Sequence, residues 1–237
     1  MPLDQNTFAN RLCAIEARIA SALLRRNRER SAVKLVAVTK KFSAEHIRHA
    51  YAAGLREFGE NYVQEFAEKR PHLSDLAEAR FHLIGHLQSN KARLACDLFQ
   101  VVQTIDSAKL MQRLDKAAGE RGSGLEALIE LKLSSEESKS GALPEHLPEI
   151  LEAALSCHHL TVTGLMTMPP WSENAELSRP YFQELARLAR QYGLKDLSMG
   201  MTNDFEVAIE EGATIIRLGT ALFGARPKPQ RGESNQL

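Results

Sequence analysis

The chain has 237 residues, of which 43% are hydrophobic and 25% charged, and its 30 basic residues balance its 30 acidic ones. This length allows one large domain or two small ones, and the composition is sufficient to fill a core. The neutral balance excludes a broad electrostatic attraction to nucleic acid or to an anionic membrane and leaves only a local basic patch open.

Apolar residues recur every three to four positions from Phe8 to Leu23, which predicts an amphipathic helix at the N-terminus. The end of this helix, between Arg25 and Arg30, is rich in arginine. Such a cluster is either a contact for nucleic acid or a solvated helix end whose cations complement the helix dipole.

Strands and helices alternate through the rest of the chain. Strands are predicted at residues 34–39, 57–60, 81–85, 99–105, 125–133, 161–168, 197–201 and 214–219. Helices are predicted to begin near residues 43, 61, 89, 107, 144, 177 and 203, and a short helical turn is predicted at Thr220–Phe223.

This alternation predicts an α/β fold, a single (β/α)8 TIM barrel with an additional long N-terminal helix. A doubly wound open sheet fits the same alternation. The last helix is short, so we expect the N-terminal helix to cover the gap it leaves. No linker divides the chain, and we expect one domain over residues 1–226 and a disordered tail over residues 227–237.

The cysteines and the N-terminal residues indicate the cellular compartment. Cys13, Cys96 and Cys157 are far apart and odd in number, which argues against a disulfide framework and fits a reducing, cytoplasmic setting. Residues 1–6 lack the basic start and apolar centre of a signal peptide. The sequence contains no apolar run of about 18 residues, so we expect no membrane span.

The segment Val36-Ala37-Val38-Thr39-Lys40-Lys41 is an apolar run that ends in two lysines. Burial at a strand end lowers the pKa of a lysine and frees its amine to attack a carbonyl group. We therefore interpret Lys40 as the residue that holds an aldehyde cofactor. The alternative is a solvated lysine pair at the end of a strand.

Barrel sites form at the carboxyl ends of the strands. These ends bring together Lys40, Glu60-Asn61-Tyr62, His86, Asp106, residues 166–168, residues 198–202 and residues 217–220. His82 and His86 are four residues apart but fall on a strand and a turn instead of a helix. We therefore expect no metal site.

Two of these strand ends have the character of a phosphate site. Residues 198–204 run from a strand into a helix start, and residues 217–221 combine a glycine with a hydroxyl residue. Ordinary capping by Thr202 or Asn203 and an ordinary turn at Gly219 are the alternatives. Arg217 is predicted to face inward as a permanent cation, or alternatively outward towards a helix carboxylate.

Seven segments of the sequence resemble the pyridoxal phosphate homeostasis proteins, single-domain relatives of the amino-acid racemase barrel. The matching segments are residues 35–40, 58–65, 82–91, 137–141, 164–168 and 198–201, and residues 217–220 together with Phe223 and Gly224. They span most of the chain in one order, which is more specific than any single motif.

The resemblance implies that Lys40 carries pyridoxal 5'-phosphate as a Schiff base. It implies that Thr202, Gly219 and Thr220 hold the phosphate together with Ser198, that Asn61 and Met166 lie near the cofactor, and that Arg217 faces the pyridine nitrogen. Proteins of this kind buffer the cofactor and deliver it, with effects on amino-acid and keto-acid balance. The expected partners are the cofactor and apo forms of pyridoxal-phosphate enzymes, and a monomer is favoured over a dimer.

The chain departs from the family pattern at a few positions. Thr39 and Thr202 stand where serine is usual and retain the hydroxyl group. Lys41-Phe42 replaces a threonine-lysine-proline continuation, which leaves Lys41 as a candidate second lysine.

Two other functions remain open at this point. A racemase needs an acid and a base on opposite faces of the substrate carbon. The larger racemases use a tyrosine of an additional β-domain, whereas Tyr51, Tyr62, Tyr181 and Tyr192 all precede the eighth strand here. We therefore expect no strong catalysis, with a racemase or another pyridoxal-phosphate enzyme as the alternative. A cofactor-free scaffold or nucleic-acid binder is the second alternative.

Overall fold

The computed structural model describes residues 5–136 and 140–224, and eight parallel strands form a closed barrel within them. The strands are β1 (Lys34–Val38), β2 (Glu57–Glu60), β3 (Arg80–Leu83), β4 (Val101–Ile105), β5 (Leu125–Glu130), β6 (Leu160–Met166), β7 (Asp196–Ser198) and β8 (Ile215–Leu218). β8 pairs with β1 in parallel, with Lys34 opposite Ile215 and Ala37 opposite Leu218. This closure confirms the TIM barrel, and the open sheet is wrong.

Helices surround the barrel. They are α1 (Gln5–Leu24), α2 (Ala44–Ala52), α3 (Val63–Lys69), α4 (Ala92–Leu98), α5 (Ala108–Arg121), α6 (Leu147–Ala154), α7 (Arg179–Gln191), α8 (Phe205–Glu210) and α9 (Thr220–Phe223). Short 3-10 helices cover Arg30–Ala32, Arg70–Leu73, Ser89–Lys91, Pro144–His146 and Ala175–Ser178. No helix among these described residues is both long enough and apolar enough to cross a bilayer.

Several strands end earlier than the sequence pattern predicts. β5 ends at Glu130 and β7 at Ser198, each three residues before its predicted end. After β7 the chain turns at Gly200, whose φ of +94° lies in the region that favours glycine. α8 begins at Phe205 and not at Asn203, because Asp204 occupies the capping position. The residues left between strand and helix are available to form a site.

The apolar core has two parts. Alternate residues of each strand point inward or outward, so the barrel interior is separate from the larger layer between strands and helices. The interior cluster consists of Val36, Val101, Leu128, Met166 and Ile215. The outer layer contains the buried face of every long helix.

The N-terminal helix closes the side of the barrel beside the short last helices. α1 packs against α8 and α9, and the rings of Phe8 and Phe223 lie 5.5 Å apart. This contact confirms that α1 covers the gap beside α9.

The arginines after α1 attach this helix to the barrel. Arg25 lies 2.6 Å from Glu210 and Arg26 lies 3.4 Å from Glu211, both at the end of α8. Arg28 donates to the carbonyl oxygens of Ile209 at 2.7 Å and Ala213 at 2.8 Å. These cations have partners within the protein, which removes the main sequence argument for a nucleic-acid contact.

Candidate functional site

The carboxyl ends of the strands open into a cavity of about 510 Å³. Six of the eight predicted cofactor-binding residues line it: Lys40, Asn61, Thr202, Arg217, Gly219 and Thr220. They come from the ends of β1, β2, β7 and β8. The strand-end rule therefore brings together residues that are up to 180 positions apart in the sequence.

Lys40 follows directly after β1, and the main chain is fixed on both sides of it. The Thr39 amide donates to the Gly59 carbonyl oxygen at 2.9 Å, which continues the pairing of β1 with β2. The Lys41 amide donates to a Glu65 carboxylate oxygen at 2.5 Å, and Lys41 has a φ of +63°. Lys40 itself is half-buried at the cavity wall. The solvated lysine pair therefore does not describe Lys40, although Lys41 is exposed.

A buried ionic cluster lies behind Lys40, outside the barrel wall. Lys69 of α3 contacts Glu60 at 2.9 Å and Glu65 at 2.6 Å, and it donates to the Thr39 carbonyl oxygen at 3.0 Å. The Thr39 hydroxyl donates to Glu60 at 2.8 Å. Burial raises the pKa of Glu60 above its ordinary value, although Lys69 opposes this shift. The sequence predicts Glu60 at the site with the other strand ends, but Glu60 pairs with Lys69 and is not among the described residues that line the cavity.

Asn61 carries an unsatisfied group at the cavity. Its side-chain oxygen Oδ1 is buried and has no hydrogen-bond partner among the described residues. Buried polar atoms normally have a partner, so this oxygen marks a place for a donor. The backbone at residue 85 can approach Asn61 this closely because residue 85 is a glycine. A Cβ at residue 85 would lie 2.3 Å from the backbone carbonyl oxygen of Asn61.

The two predicted phosphate segments meet at the same cavity. The Arg217 amide donates to the Gly200 carbonyl oxygen at 3.0 Å, which joins β8 to the loop after β7. Asp204 orders that loop by accepting from the Met201 amide at 2.7 Å and the Ser178 hydroxyl at 2.8 Å. Thr202 of this loop and the Gly219–Thr220 turn line the same cavity.

Arg217 points into the barrel and is 3% exposed. Its guanidinium donates to the Ser198 hydroxyl oxygen at 2.5 Å and to the Thr167 carbonyl oxygen at 2.9 Å. Burial lowers its pKa to about 10, opposed by the charges of Glu130 and Asp204, so it stays cationic at neutral pH. The outward arginine paired to a helix carboxylate is therefore wrong.

Met166 and Ser198 lie one layer deeper and are not among the described residues that line the cavity. Met166 belongs to the interior apolar cluster, and Ser198 is buried beside Arg217. The shortened ends of β6 and β7 explain this depth, because the residues that reach the cavity come after each strand. Met168 and Met201 occupy those later positions.

Several cavity residues escaped the sequence analysis. Phe42 lines the cavity where Lys41 turns away, and Trp171, the only tryptophan of the chain, lies at its rim with 72% of its surface exposed. Trp171 follows Pro169-Pro170 after β6, so the strand-end rule could have found it.

A second cavity of about 300 Å³ adjoins the first and shares Met168, Trp171 and Met201 with it. Glu130, at the end of β5, lines this second cavity and is 2% exposed. Burial raises the pKa of Glu130 to about 7, a shift that Arg217 opposes and Asp106 reinforces.

His82 and His86 contact different carboxylates. His82 lies 2.6 Å from Glu57 inside the barrel, and His86 lies 3.6 Å from Asp106. Across residues 5–136 and 140–224 the structure contains no group of three side chains suited to bind a metal.

Two sequence predictions fall outside the described part of the chain. Most of the family match at residues 137–141 lies there, and so does the tail at residues 227–237.

Comparison with known proteins places this geometry in a family. The sequence matches the family described as "Alanine racemase, N-terminal domain" over residues 12–227. It is 42% identical over 222 residues to the "Pyridoxal phosphate homeostasis protein" of Aquifex aeolicus, covering 91% of this chain and 97% of the relative. It is also 42% identical over 226 residues to the protein of the same name from Pseudomonas aeruginosa, covering 93% and 96%.

A solved structure supports the same family assignment. PipY of Synechococcus elongatus PCC7942, solved with PLP bound, superimposes with a TM-score of 0.80 at 38% identity. The superposition covers 92% of this chain and all of PipY. The chain belongs to the pyridoxal phosphate homeostasis protein family.

Proposed function

We propose that this protein binds pyridoxal 5'-phosphate in the 510 Å³ cavity and that Lys40 holds it covalently. The observation that carries the proposal is the meeting of Lys40, Arg217 and the Gly219–Thr220 turn on one cavity. The volume is typical of cofactor sites. PipY, 38% identical and solved with PLP bound, supports the same ligand for this chain.

The residues present fit the functional groups of this cofactor. Lys40 provides a primary amine that can react with the aldehyde, and it lies half-buried at the cavity wall. Thr202 and Thr220 provide hydroxyl groups, and Gly219 an accessible backbone, for the phosphate. The unpartnered Oδ1 of Asn61 leaves an acceptor at the cavity that a bound ligand could satisfy.

Three further residues lie at the cavity or directly beneath it. Arg217 can donate hydrogen bonds but cannot accept them, so it favours an unprotonated ring nitrogen. Ser198 holds Arg217 in place at 2.5 Å. Met166 fills the layer beneath the cavity and has no exposed surface.

We assign the protein as a cofactor carrier and not as a racemase. When bound, pyridoxal phosphate supplies an electron sink for reactions at the α-carbon of amino acids. Arg217 would weaken that sink, because a group with donors only favours an unprotonated ring nitrogen. None of the chain's tyrosines is among the described residues that line the cavity, and the carboxylate of Asp204 there already accepts from the Met201 amide and the Ser178 hydroxyl.

The expected role is to buffer pyridoxal phosphate and deliver it to apo enzymes that depend on it, which links the protein to amino-acid and keto-acid balance. The exposed Trp171 at the rim supports delivery, because the cavity opens at the protein surface. We propose that the protein works as a monomer in the cytoplasm, with residues 1–226 as one domain. The three cysteines, which form no disulfide, support the reducing compartment.

The test is the absorption spectrum of the purified protein mixed with pyridoxal phosphate. Wild-type protein should show the band of the lysine-bound cofactor, and its formation should quench the fluorescence of Trp171. Lys40→Ala should lose the band, and Lys41→Ala should keep it. Survival of the band in Lys40→Ala would contradict the assignment.

A second measurement separates carrier from enzyme. Protein loaded with cofactor is incubated with single-enantiomer amino acids, and their optical purity is followed. We expect no efficient conversion, whereas rapid racemisation would overturn the carrier assignment. Transfer to an apo enzyme, read as recovered activity of that enzyme, tests delivery.

A further inference from the structure

A chain of hydrogen-bonded side chains crosses the barrel interior and ends at Arg217. Glu57 of β2 lies 2.6 Å from Nε2 of His82 on β3, and Nδ1 of His82 lies 2.9 Å from the amide nitrogen of Gln103 on β4. The Ser198 hydroxyl on β7 donates to the amide oxygen of Gln103 at 2.6 Å and accepts from Arg217 at 2.5 Å. Five strands therefore contribute to one continuous polar connection.

The direction of every hydrogen bond in this chain is fixed by its two ends. Arg217 has donors only, so Ser198 accepts from it, and Ser198 donates its own proton to the Gln103 amide oxygen. The Gln103 oxygen is then occupied, and its amide nitrogen donates to Nδ1 of His82. This leaves the His82 proton on Nε2, where it is donated to the Glu57 carboxylate.

Glu57 suits the acceptor end. Burial disfavours its charge, but the hydrogen bond from His82 and the positive charges nearby hold the pKa of Glu57 below its ordinary value. An ionised carboxylate accepts hydrogen bonds and has none to donate. The chain thus runs from a donor-only group to an acceptor-only group without a conflict.

A chain of hydrogen-bonded polar side chains is unusual in the interior of a barrel. Barrel interiors are normally filled by branched apolar residues, as Val36, Val101 and Leu128 do here. His82 is 2% exposed and Gln103 and Ser198 are fully buried, so each was removed from water on folding. A fully satisfied buried network holds its members in one arrangement, whereas a partly satisfied one is unfavourable.

We propose that Gln103 and His82 are positioning residues that fix the orientation of the Arg217 guanidinium at the cavity. The functional consequence rests on the proposed function, because Arg217 then presents its remaining donors to the ring of the bound cofactor. The alternative is that the chain only fills the barrel, in which case its loss lowers stability and leaves Arg217 and the cofactor unchanged.

The decisive comparison uses three variants of neighbouring β4 residues. Gln103→Leu keeps the shape but interrupts the chain at its centre. Gln103→Glu keeps the acceptor for Ser198, so it should keep Arg217 in place. Val102→Ala is the matched control, because Val102 is equally buried but packs on the outer face of the strand.

The first readout needs no cofactor. Nitrogen NMR of the cofactor-free wild type should show the His82 proton on Nε2, with Nδ1 accepting from the Gln103 amide. Crystal structures should show Arg217 displaced in Gln103→Leu and in place in the other two variants. A wild-type proton on Nδ1, or an unmoved Arg217 in Gln103→Leu, would overturn the proposal even if a variant folds poorly.

The second readout is the bound cofactor. Gln103→Leu should shift its absorption band and weaken its binding about tenfold, and Gln103→Glu should bind within about threefold of wild type. Val102→Ala should lose stability with both properties unchanged. If the wild type shows no absorption band, the proposed function fails. The position of Arg217 in the crystal structures then tests the inference by itself. A normal band and normal affinity in Gln103→Leu would be a failure of this inference.

Discussion

Nζ of Lys69 lies 3.0 Å from the carbonyl oxygen of Thr39, the residue before Lys40. The same nitrogen contacts Glu65, which accepts from the amide of Lys41 on the other side. A cation on α3 therefore holds both flanks of Lys40 without facing the cavity. These contacts fix the main chain around Lys40 and therefore the point from which its side chain extends.

Lys69→Met tests whether Lys69 fixes the main chain on both sides of Lys40. Removing one partner of a buried ion pair leaves the other charge unpaired, so we expect the free energy of unfolding to fall by about 3–5 kcal/mol. Glu60 has no exposed surface and would be left without its counter-ion. Cofactor binding should weaken as well, because the main chain around Lys40 loosens. Urea denaturation and cofactor titration measure the two effects.

Two controls accompany this variant. The double variant Glu60→Met, Lys69→Met replaces the pair by apolar side chains and should recover part of the lost stability. Arg187→Met breaks an exposed pair on α7 and should leave stability nearly unchanged. Equal stability of Lys69→Met and wild type would show that the contacts of Lys69 have no structural role.

The Glu130 carboxyl predicts a pH dependence of stability. Its pKa is about 7 in the folded protein, against 4.5 for an ordinary glutamate. The folded state therefore binds more protons than the unfolded state between these values, and stability must fall as the pH rises from 4.5 to 7. The contribution is fully present below pH 4.5 and lost above pH 7.

Glu130→Gln removes this titration. We expect the variant to match wild type near pH 4 and to exceed it by up to about 3 kcal/mol near pH 8, since one pKa unit corresponds to about 1.4 kcal/mol. Urea denaturation at several pH values gives the difference curve. A flat difference across this range would mean that Glu130 titrates normally.

Asp115 of α5 organises the start of β6. Its Oδ1 accepts from the backbone amides of His158, His159 and Leu160 at 2.9, 2.7 and 3.0 Å. Asp115→Ala should lower the free energy of unfolding by about 2–3 kcal/mol, because the amides lose a charged acceptor. Asp115→Asn keeps an acceptor oxygen and should lose only about 1 kcal/mol. Thermal and urea unfolding of the pair decides this, and equal losses would contradict it.

Gly85 allows the loops after β2 and β3 to approach each other at Asn61. A methyl group at residue 85 would overlap the Asn61 backbone, so Gly85→Ala should lose about 1–3 kcal/mol of stability and weaken cofactor binding. Gly124→Ala is the matched control, because a Cβ there meets nothing within 4 Å. It should leave both properties intact. A Gly85→Ala protein with wild-type affinity would exclude any influence of this contact on the site.

The barrel and the position of Lys40 could be predicted because both depend on local patterns. Apolar runs separated by helical segments predict parallel strands, and parallel strands align their carboxyl ends. Lys40, Asn61, Thr202 and Gly219 follow strands and therefore meet at one end of the barrel. The closure of the sheet was also expected from the number of strands.

Depth within the barrel could not be predicted in the same way. The sequence does not mark where a strand stops pairing, so Met166 and Ser198 were expected at the cavity but lie below it. Glu60 is expected at a strand end, but its burial against Lys69 is not, because charged residues are usually exposed and this burial depends on α3 packing behind β2. The sequence predicts Gln103 only as part of a strand, although a buried polar residue at an inward position normally has a hydrogen-bond partner.

Reduction with borohydride followed by peptide mapping tests the role of Lys40 most directly. Reduction makes the bond between a lysine and the cofactor stable, so the mass of the reduced cofactor stays on the peptide that carries it. We expect the wild type to carry it on Lys40 alone and the Lys40→Ala variant to carry none. Reduced cofactor on Lys41, Lys69 or another lysine, or on none in the wild type, would contradict the central claim.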